Sequence, residues 1–213
     1  MAPRSATNPG RRTAASAGRA PWGTISREQV VDAATGVVKN GGYEEMTIRS
    51  LAADLGVAPM SLYRHVRDKD DLLDEVVDRL LAKAWRPSAS PRDWRSWVVE
   101  AAEKLRRFLV NQPAALHVYL QHPVVSPSAI ARMNTMIDVL SAATGDEASA
   151  RRAYAAIHTY TLGFAALEAS RARRTPADDE TDGRALELAA YTSAAQFAEG
   201  LRYLLEGIQR QAR

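Results

Sequence analysis

The 213-residue sequence contains no cysteine, which excludes disulfide bonds, a thiolate nucleophile and any metal site with cysteine ligands. It has no run of the ~18–20 apolar residues that a transmembrane helix requires. Its first residues also lack the apolar segment of a secretory signal. These absences fit a cytoplasmic protein without a membrane partner, and we expect that location.

The signatures of common enzyme classes are missing as well. There is no G-x-S-x-G nucleophile motif, no P-loop and no glycine-rich dinucleotide-binding motif. The four histidines, His65, His117, His122 and His158, are scattered without catalytic spacing. We therefore predict a protein that is not an enzyme, with no catalytic residues, no cofactor and no metal site.

Helical periodicity dominates the sequence from Ile25 onward. Hydrophobic residues make up 46% of the chain and charged residues 25%, a balance that allows a sizeable buried core. The apolar residues recur at intervals of three and four, and no alternating strand pattern or internal repeat is found. The sequence predicts an all-α fold with about nine helices.

Low-complexity segments divide the chain into units. Residues 1–24 are rich in Ala, Ser, Gly, Pro and Arg and contain no acid, which predicts a disordered basic arm. Residues 85–91, WRPSASP, predict a hinge or short linker, and residues 175–183, TPADDETDG, an exposed acidic loop. The two predicted folded units are therefore residues 25–84 and 91–213.

Residues 47–65 have the sequence form of two short helices joined by a tight turn. Thr47 can cap the first helix, Gly56 can end it, and Pro59 is tolerated in the first turn of the next. Leu51 and Leu62 can pack inward. This pattern is typical of a helix-turn-helix, which places its second helix in the major groove of DNA.

Polar and basic side chains stand between these apolar positions. Thr47 brings a hydroxyl to a helix N-terminus, where free N–H groups and the helix dipole favour an anion such as phosphate. Arg49 follows in the same helix, and Tyr63, His65 and Lys69 gather around the end of the next one. From the residues alone, Tyr63 could also be a core aromatic and His65 a helix-end cap.

The run from Ile25 to about Ala84 resembles the DNA-binding domain of the TetR family of bacterial transcription regulators. The family pattern G-V-x-x-x-x-L-Y-x-H-V-x-x-K-x-x-L-L matches here at Gly56, Val57, Leu62, Tyr63, His65, Val66, Lys69, Leu72 and Leu73. A weaker resemblance, through residues 159–168 and 197–208, is to the subgroup nearest the tetracycline repressors. The resemblance implies a three-helix DNA-binding domain in residues 25–84 and a helical ligand-binding and dimerisation domain in residues 91–213.

The resemblance also implies individual roles in DNA binding. Thr47 and Arg49 would contact the DNA backbone or a nearby base, Pro59, Met60 and Ser61 would lie in the groove, and Tyr63, His65 and Lys69 would hold phosphates. Ala58, Pro59 and Met60 lack the side chains that make bidentate contacts to base edges. We therefore expect readout partly through thymine methyl groups, with Arg49 and Arg64 making the polar base contacts. The basic arm could lie along phosphates or reach into a minor groove.

A homodimer on a palindromic double-stranded operator, released by a small-molecule effector, is the function that the resemblance implies. Small residues on two long helices independently favour a helical dimer interface, although Ala-rich helices could also explain them; they are Ala153, Ala156, Gly163, Ala166, Ala194, Gly200 and Gly207. An activator, or a regulator whose C-terminal domain serves only dimerisation, remains an alternative.

A cavity for a hydrophobic or aromatic effector is expected in the C-terminal region, where aromatic, Met and His side chains are frequent. We predict ligand contacts from His117, His122, His158 and Phe164, although each of them could equally be a core residue. When bound to its operator, such a regulator would be associated with the nucleoid.

Overall fold

The structure is a computed structural model that describes residues 25–40, 44, 46–85, 93–121, 126–172 and 191–211. Across these ranges it contains nine α-helices and no strand, which confirms the predicted all-α fold. The helices are α1 (Arg27–Lys39), α2 (Ile48–Asp54), α3 (Pro59–Leu62), α4 (Lys69–Ala84), α5 (Trp94–Asn111), α6 (Pro113–Gln121), α7 (Pro127–Thr144), α8 (Glu147–Ala172) and α9 (Ala194–Gln211). The predicted basic arm, the hinge after Trp85 and the acidic loop lie outside the described residues.

Side-chain caps fix the starts of several helices, among them α2 at its predicted cap Thr47. The side chains of Ser26 and Thr47 each accept a hydrogen bond from the backbone N–H three residues later. The backbone N–H of each cap residue in turn donates to the side chain of that later residue, which completes a capping box. Ser126 caps α7, and Pro127 occupies its first turn. Each of these interactions acts within a few residues of chain, which explains why the start of α2 at Thr47 could be predicted from the sequence.

A first hydrophobic core contains residues of the first four helices, α1 through α4, together with residues of α5, α6 and α8. Leu51, Leu62 and Val76 are essentially inaccessible to solvent, and Phe108 and Ala165 belong to the same buried cluster. The helices on either side of the predicted hinge thus share one core, so the DNA-binding unit is not packed independently of the helices that follow it.

A second core lies between α5, α7, α8 and α9, where Phe197 and Leu201 are fully buried. Trp85, predicted to begin the linker, is anchored instead. Its Nε1–H donates to the carbonyl of Ala101 at 3.1 Å, and its ring meets Trp97 edge to face with 6.1 Å between ring centroids. This contact ties the C-terminal end of α4 to α5.

Two of the small residues assigned to a dimer surface are explained by packing within the chain. A Cβ added at Gly200 would lie 2.8 Å from Cζ of Tyr160 and closer still to its hydroxyl oxygen, so Tyr160 requires a glycine there. Ala153 is buried in the second core. A Cβ added at Gly163 or Gly207 would meet nothing within 4 Å, so these two positions stay candidates for an external contact.

Membrane insertion of a helix finds no support among the described residues, since none of their helices is both long and apolar enough to cross a bilayer.

Candidate functional site

The predicted helix-turn-helix is formed by α2 and α3. Gly56 makes the turn between them with a φ of 67°, in the left-handed region that favours glycine. Pro59 occupies the first turn of α3. The helix ends at Leu62 rather than near His65 as predicted, because the N–H groups of His65 and Val66 both turn back to the Leu62 carbonyl, at 2.8 and 3.0 Å.

The nine predicted DNA-contacting residues share one property, which is that none is buried. The side chains of Ser61, His65 and Lys69 are half-buried, and the exposed ones are Thr47, Arg49, Pro59, Met60, Tyr63 and Arg64. Met60 is 71% exposed and Tyr63 48% exposed, which argues against a core role for Tyr63. The side chains of Met60 and Tyr63 are therefore both accessible to another molecule.

Arg27, at the start of α1, holds this surface in place. Its guanidinium donates to the His65 carbonyl and, at 2.7 Å, to Glu75 Oε2, and it lies 3.8 Å from Asp71. Burial tends to raise the pKa of Asp71, but hydrogen bonds from Arg67 and the charge of Arg27 outweigh it and hold that pKa below the usual range. Through Arg27, the acids Asp71 and Glu75 of α4 therefore fix the turn after α3.

Lys69 occupies a position between the helices. Its Nζ donates to the Glu44 carbonyl at 3.3 Å, and its side chain remains half-buried. The ammonium of Lys69 thus contacts the segment that precedes α2, three residues before its cap Thr47. This contact links the start of α4 to the chain that leads into the helix-turn-helix.

A cavity of about 630 Å³ lies among α4, α5, α6, α7 and α8. Its wall is mostly apolar and includes Leu81, Trp85, Ala101, Ala102, Leu105, Leu120, Ala129, Ile130, Met133, Met136, Ile157 and Leu162. Two of these residues, Leu120 and Ile130, are 56% and 43% exposed, so the cavity opens to solvent beside them. Volume and lining match a small-molecule site.

Arg132 provides the one charge among the described residues of the cavity wall. Its Nη2 donates to Asp78 Oδ1 of α4 at 2.7 Å, and Ser128 also donates to Asp78. Burial tends to raise the pKa of Asp78, but the hydrogen bonds from Ser128 and Arg132 prevail and lower it. The cavity wall and the DNA-binding unit are thus joined by a half-buried ion pair.

Three aromatic side chains form the polar side of the cavity. The His158 ring stacks on Tyr154 with 5.2 Å between ring centroids and an interplanar angle of 19°, and it lies 6.1 Å from the ring of Tyr119. Burial, with a contribution from Tyr119, raises the pKa of Tyr154 to about 12, and burial lowers the pKa of His158. These groups are therefore neutral at pH 7 and can exchange hydrogen bonds with a ligand.

The structure separates the four residues predicted to contact a ligand. His158 lines the cavity, whereas Phe164 is buried in the second core against Tyr160 and Phe197. His117 is exposed on α6 and does not line the cavity, and His122 lies outside the described residues. No group of His, Asp and Glu in the described ranges has the arrangement of a metal site.

Sequence reasoning missed Arg132 and Tyr154. Tyr154 had a detectable signal, because it stands four residues before His158 on α8 and therefore on the same helix face. No sequence signal identified Arg132, because its partner Asp78 is 54 residues away along the chain.

Comparison with known families gives two matches along the chain. Residues 86–212 match the family described as "Tetracyclin repressor-like, C-terminal domain", and residues 30–76 match "Bacterial regulatory proteins, tetR family". The first match covers more than half of the sequence, and it includes α9 and all of the cavity-lining residues except Leu81 and Trp85.

Among similar proteins, an HTH-type transcriptional regulator of Saccharopolyspora erythraea is 31% identical over 144 residues, covering 68% of this chain and 61% of that protein. The class C tetracycline repressor protein of Escherichia coli is 29% identical over 186 residues, covering 86% and 83%. Several other curated relatives are matched over less than half of their length.

A crystal structure of the Streptomyces coelicolor TetR family protein ActR, in complex with actinorhodin, superposes with a TM-score of 0.72 at 24% identity, covering 86% of this chain and 95% of ActR. This likeness shows the fold. Both family descriptions and the relatives named above are those of transcription regulators, in agreement with the prediction that the protein is not an enzyme.

Proposed function

The chain belongs to the TetR family of bacterial transcription regulators, and from that premise we propose that it is a ligand-responsive repressor that binds a palindromic operator as a homodimer. The observation that carries the proposal is the exposed face of α2 and α3 in a chain that also contains a ligand-sized cavity. Such a protein acts in the cytoplasm, where it meets the nucleoid.

On DNA, the short helix α3 enters the major groove, and its residues Pro59, Met60 and Ser61 face the base edges. Thr47, at the N-terminus of α2, and Lys69, at the start of α4, bind phosphates on either side of the groove. The hydrogen bonds from Arg27 to the His65 carbonyl and to Glu75 support this proposal, because they fix the spacing between α3 and α4 in the absence of DNA.

Sequence readout relies on apolar contacts. Met60 is 71% exposed at the tip of α3, and neither Ala58 nor Pro59 offers a side-chain hydrogen bond to a base. Thymine methyl groups are the natural partners of such a surface in the major groove. Arg49 and Arg64, both exposed, supply the polar base contacts.

Dimerisation uses the outer faces of α8 and α9 in a four-helix arrangement. Gly163 and Gly207 leave open space on these helices, and Leu167 and Tyr203 are 55% and 57% exposed. Small residues allow two helices to approach closely, and the exposed apolar side chains gain burial when they do. The dimer then sets the two α3 helices about one DNA turn apart, ~34–36 Å.

The effector occupies the cavity between α4 and α8. An apolar wall with the neutral polar groups of Tyr119, Tyr154 and His158 suits a hydrophobic or aromatic molecule. ActR, which has a similar fold, has been solved in complex with actinorhodin, and this supports a small-molecule effector for the present chain. Release from the operator follows if the bound ligand favours an α4 position in which the two α3 helices no longer match the DNA, a coupling of typically ~1–3 kcal/mol.

The test begins with footprinting on the DNA adjoining the chain's own gene, followed by titration of the protected site at several salt concentrations. Lys69→Gln should weaken binding and reduce the slope of log K against log salt by about one, as expected for loss of one phosphate contact. Lys83→Gln, at the exposed far end of α4, is the charge-matched control and should leave the slope unchanged. An asymmetric single footprint, or equal slopes for both variants, would contradict the proposal.

Two further measurements address readout and assembly. Replacing thymine by uracil at groove-facing positions should cost roughly 1 kcal/mol or more at one position at least. Leu167→Glu should convert the dimer to a monomer in sedimentation at micromolar concentration, whereas Leu120→Glu, a substitution of equal exposure on α6, should not. A wild-type monomer at that concentration would overturn the dimeric mode.

A further inference from the structure

We propose that the effector carries an acidic group that binds Arg132, and that this contact competes with the Arg132–Asp78 ion pair which holds α4. The inference rests on the proposed function and extends it by naming the ligand class, an aromatic or hydrophobic acid, and the residue that senses it. It follows from the position of one arginine that is shared by the cavity wall and the DNA-binding unit.

The first step of the argument is charge. Most of the lining side chains are apolar, and Arg132 is the single charged side chain that the structure describes in the wall. An anionic ligand group in such a cavity would be poorly solvated unless a cation paired with it. A guanidinium, with its planar fork of five N–H donors, is suited to carboxylates, sulfonates and phosphates.

The second step is availability. The Arg132 side chain is 14% exposed, and its Nη2 is the nitrogen that bonds Asp78 Oδ1 at 2.7 Å. The hydroxyl oxygen of Tyr119, also in the wall, accepts a hydrogen bond from Arg132. A ligand acid can therefore reach the guanidinium from the cavity side, while Asp78 retains the hydrogen bond from Ser128 when Arg132 turns away.

The third step is connection to DNA binding. Asp78 lies on α4, whose first residue, Lys69, belongs to the proposed DNA surface and whose last turn, with Leu81, forms part of the cavity wall. A continuous helix moves as one body, so loosening Asp78 changes the orientation of Lys69 and of the turn after α3. A neutral ligand of the same shape fills the cavity without drawing Arg132 away from Asp78.

The test uses two dyes with one aromatic skeleton. 8-Anilinonaphthalene-1-sulfonate carries an acid, and N-phenyl-1-naphthylamine is the same skeleton without it. Arg132→Gln should weaken binding of the sulfonate by about tenfold or more, the usual scale of a hydrogen bond to a charged group, and leave the amine unchanged. Arg107→Gln, which removes an exposed charge from α5 outside the cavity, is the matched control.

Asp78→Asn provides a second, opposite result. Without the competing carboxylate, Arg132 is free to pair with the sulfonate, so affinity for the sulfonate should rise several-fold while affinity for the amine stays constant. Because this variant keeps Arg132, it tests the proposal even if Arg132→Gln does not fold. Cooperative thermal unfolding shows whether each variant is folded. Equal changes for both dyes in the folded variants, or no gain in Asp78→Asn, would overturn the proposal.

Operator binding separates this inference from the proposed function. The sulfonate, but not the amine, should lower the affinity of wild-type protein for the operator, and the effect should vanish in Arg132→Gln. A protein that binds no operator refutes the proposed function but leaves the dye preference intact. If both dyes release the protein from DNA equally, the proposed function is supported and the proposal of an acidic effector is refuted.

Discussion

Gly200 offers a sharp test of how the C-terminal helices are held. Glycine within a helix is usually replaced by alanine with a gain of ~1 kcal/mol in stability, since alanine has the higher helix propensity. At Gly200 of α9 we expect the opposite sign. A Cβ at this position would lie 2.8 Å from Cζ of Tyr160, well inside van der Waals contact, so the tyrosine ring must leave its place.

The magnitude follows from what Tyr160 loses. Its hydroxyl donates to the Phe197 carbonyl at 3.0 Å, and its ring stacks on Phe197 with 5.3 Å between centroids. The hydrogen bond contributes ~0.5–1.5 kcal/mol and the aromatic pair ~0.5–1.5 kcal/mol. After the helix-propensity gain is subtracted, Gly200→Ala should lower the free energy of unfolding by about 1 kcal/mol.

Urea denaturation followed by circular dichroism, at one fixed protein concentration, measures this difference. Gly36→Ala on α1, where a Cβ meets nothing within 4 Å, is the control and should raise the free energy of unfolding by about 1 kcal/mol. In a Tyr160→Ala background, Gly200→Ala should become stabilising as well. A stabilising effect of Gly200→Ala in the wild-type background would refute the packing argument.

Three other predictions concern single side chains. Gly56→Ala should cost about 1–2 kcal/mol in the same assay, because the φ of 67° is strained for any residue with a Cβ, and Gly56→Asn should cost less. Burial lowers the pKa of His158, so below about pH 6.5 the unfolded chain binds a proton at this residue more readily than the folded chain does. The free energy of unfolding should therefore be highest above about pH 6.5 and fall as the pH drops below it. His158→Gln should reduce that fall. Arg106 is 5% exposed and is paired at 2.6 Å with Glu168, which is only partly buried, so Arg106→Met alone should cost about 1–3 kcal/mol. The double replacement Arg106→Met with Glu168→Leu should be closer to neutral.

The helix-turn-helix could be predicted because its determinants are local. The cap at Thr47, the turn at Gly56 and the proline at the start of α3 each act within a few residues of chain. The apolar spacing then fixes which side chains face inward. Exposure of Met60 and Tyr63 follows from the same periodicity, although the sequence alone left Tyr63 open between surface and core.

The ligand site could be predicted only in part. On α8, the buried residues recur at intervals of three and four on one broad face that contacts several other helices, and apolar residues such as Leu167 also occur off this face. The sequence of α8 therefore does not indicate which part of the helix meets the cavity. His158 and Phe164 are six residues apart on this helix, yet one lines the cavity and the other belongs to the second core. Similarly, the sequence assigned Gly200 to an external surface, and the structure places it against Tyr160.

The all-α class, the helix-turn-helix and the family could be predicted from the sequence alone, since they depend on periodicity, caps and turns that act over a few residues. Which residues meet across the chain depends on the tertiary structure. Arg27 reaches Glu75 over 48 residues and Arg132 reaches Asp78 over 54. Such pairs form because hydrophobic cores bring distant helices together, and a charged side chain at the rim of a core leaves no periodic signal that would identify its partner.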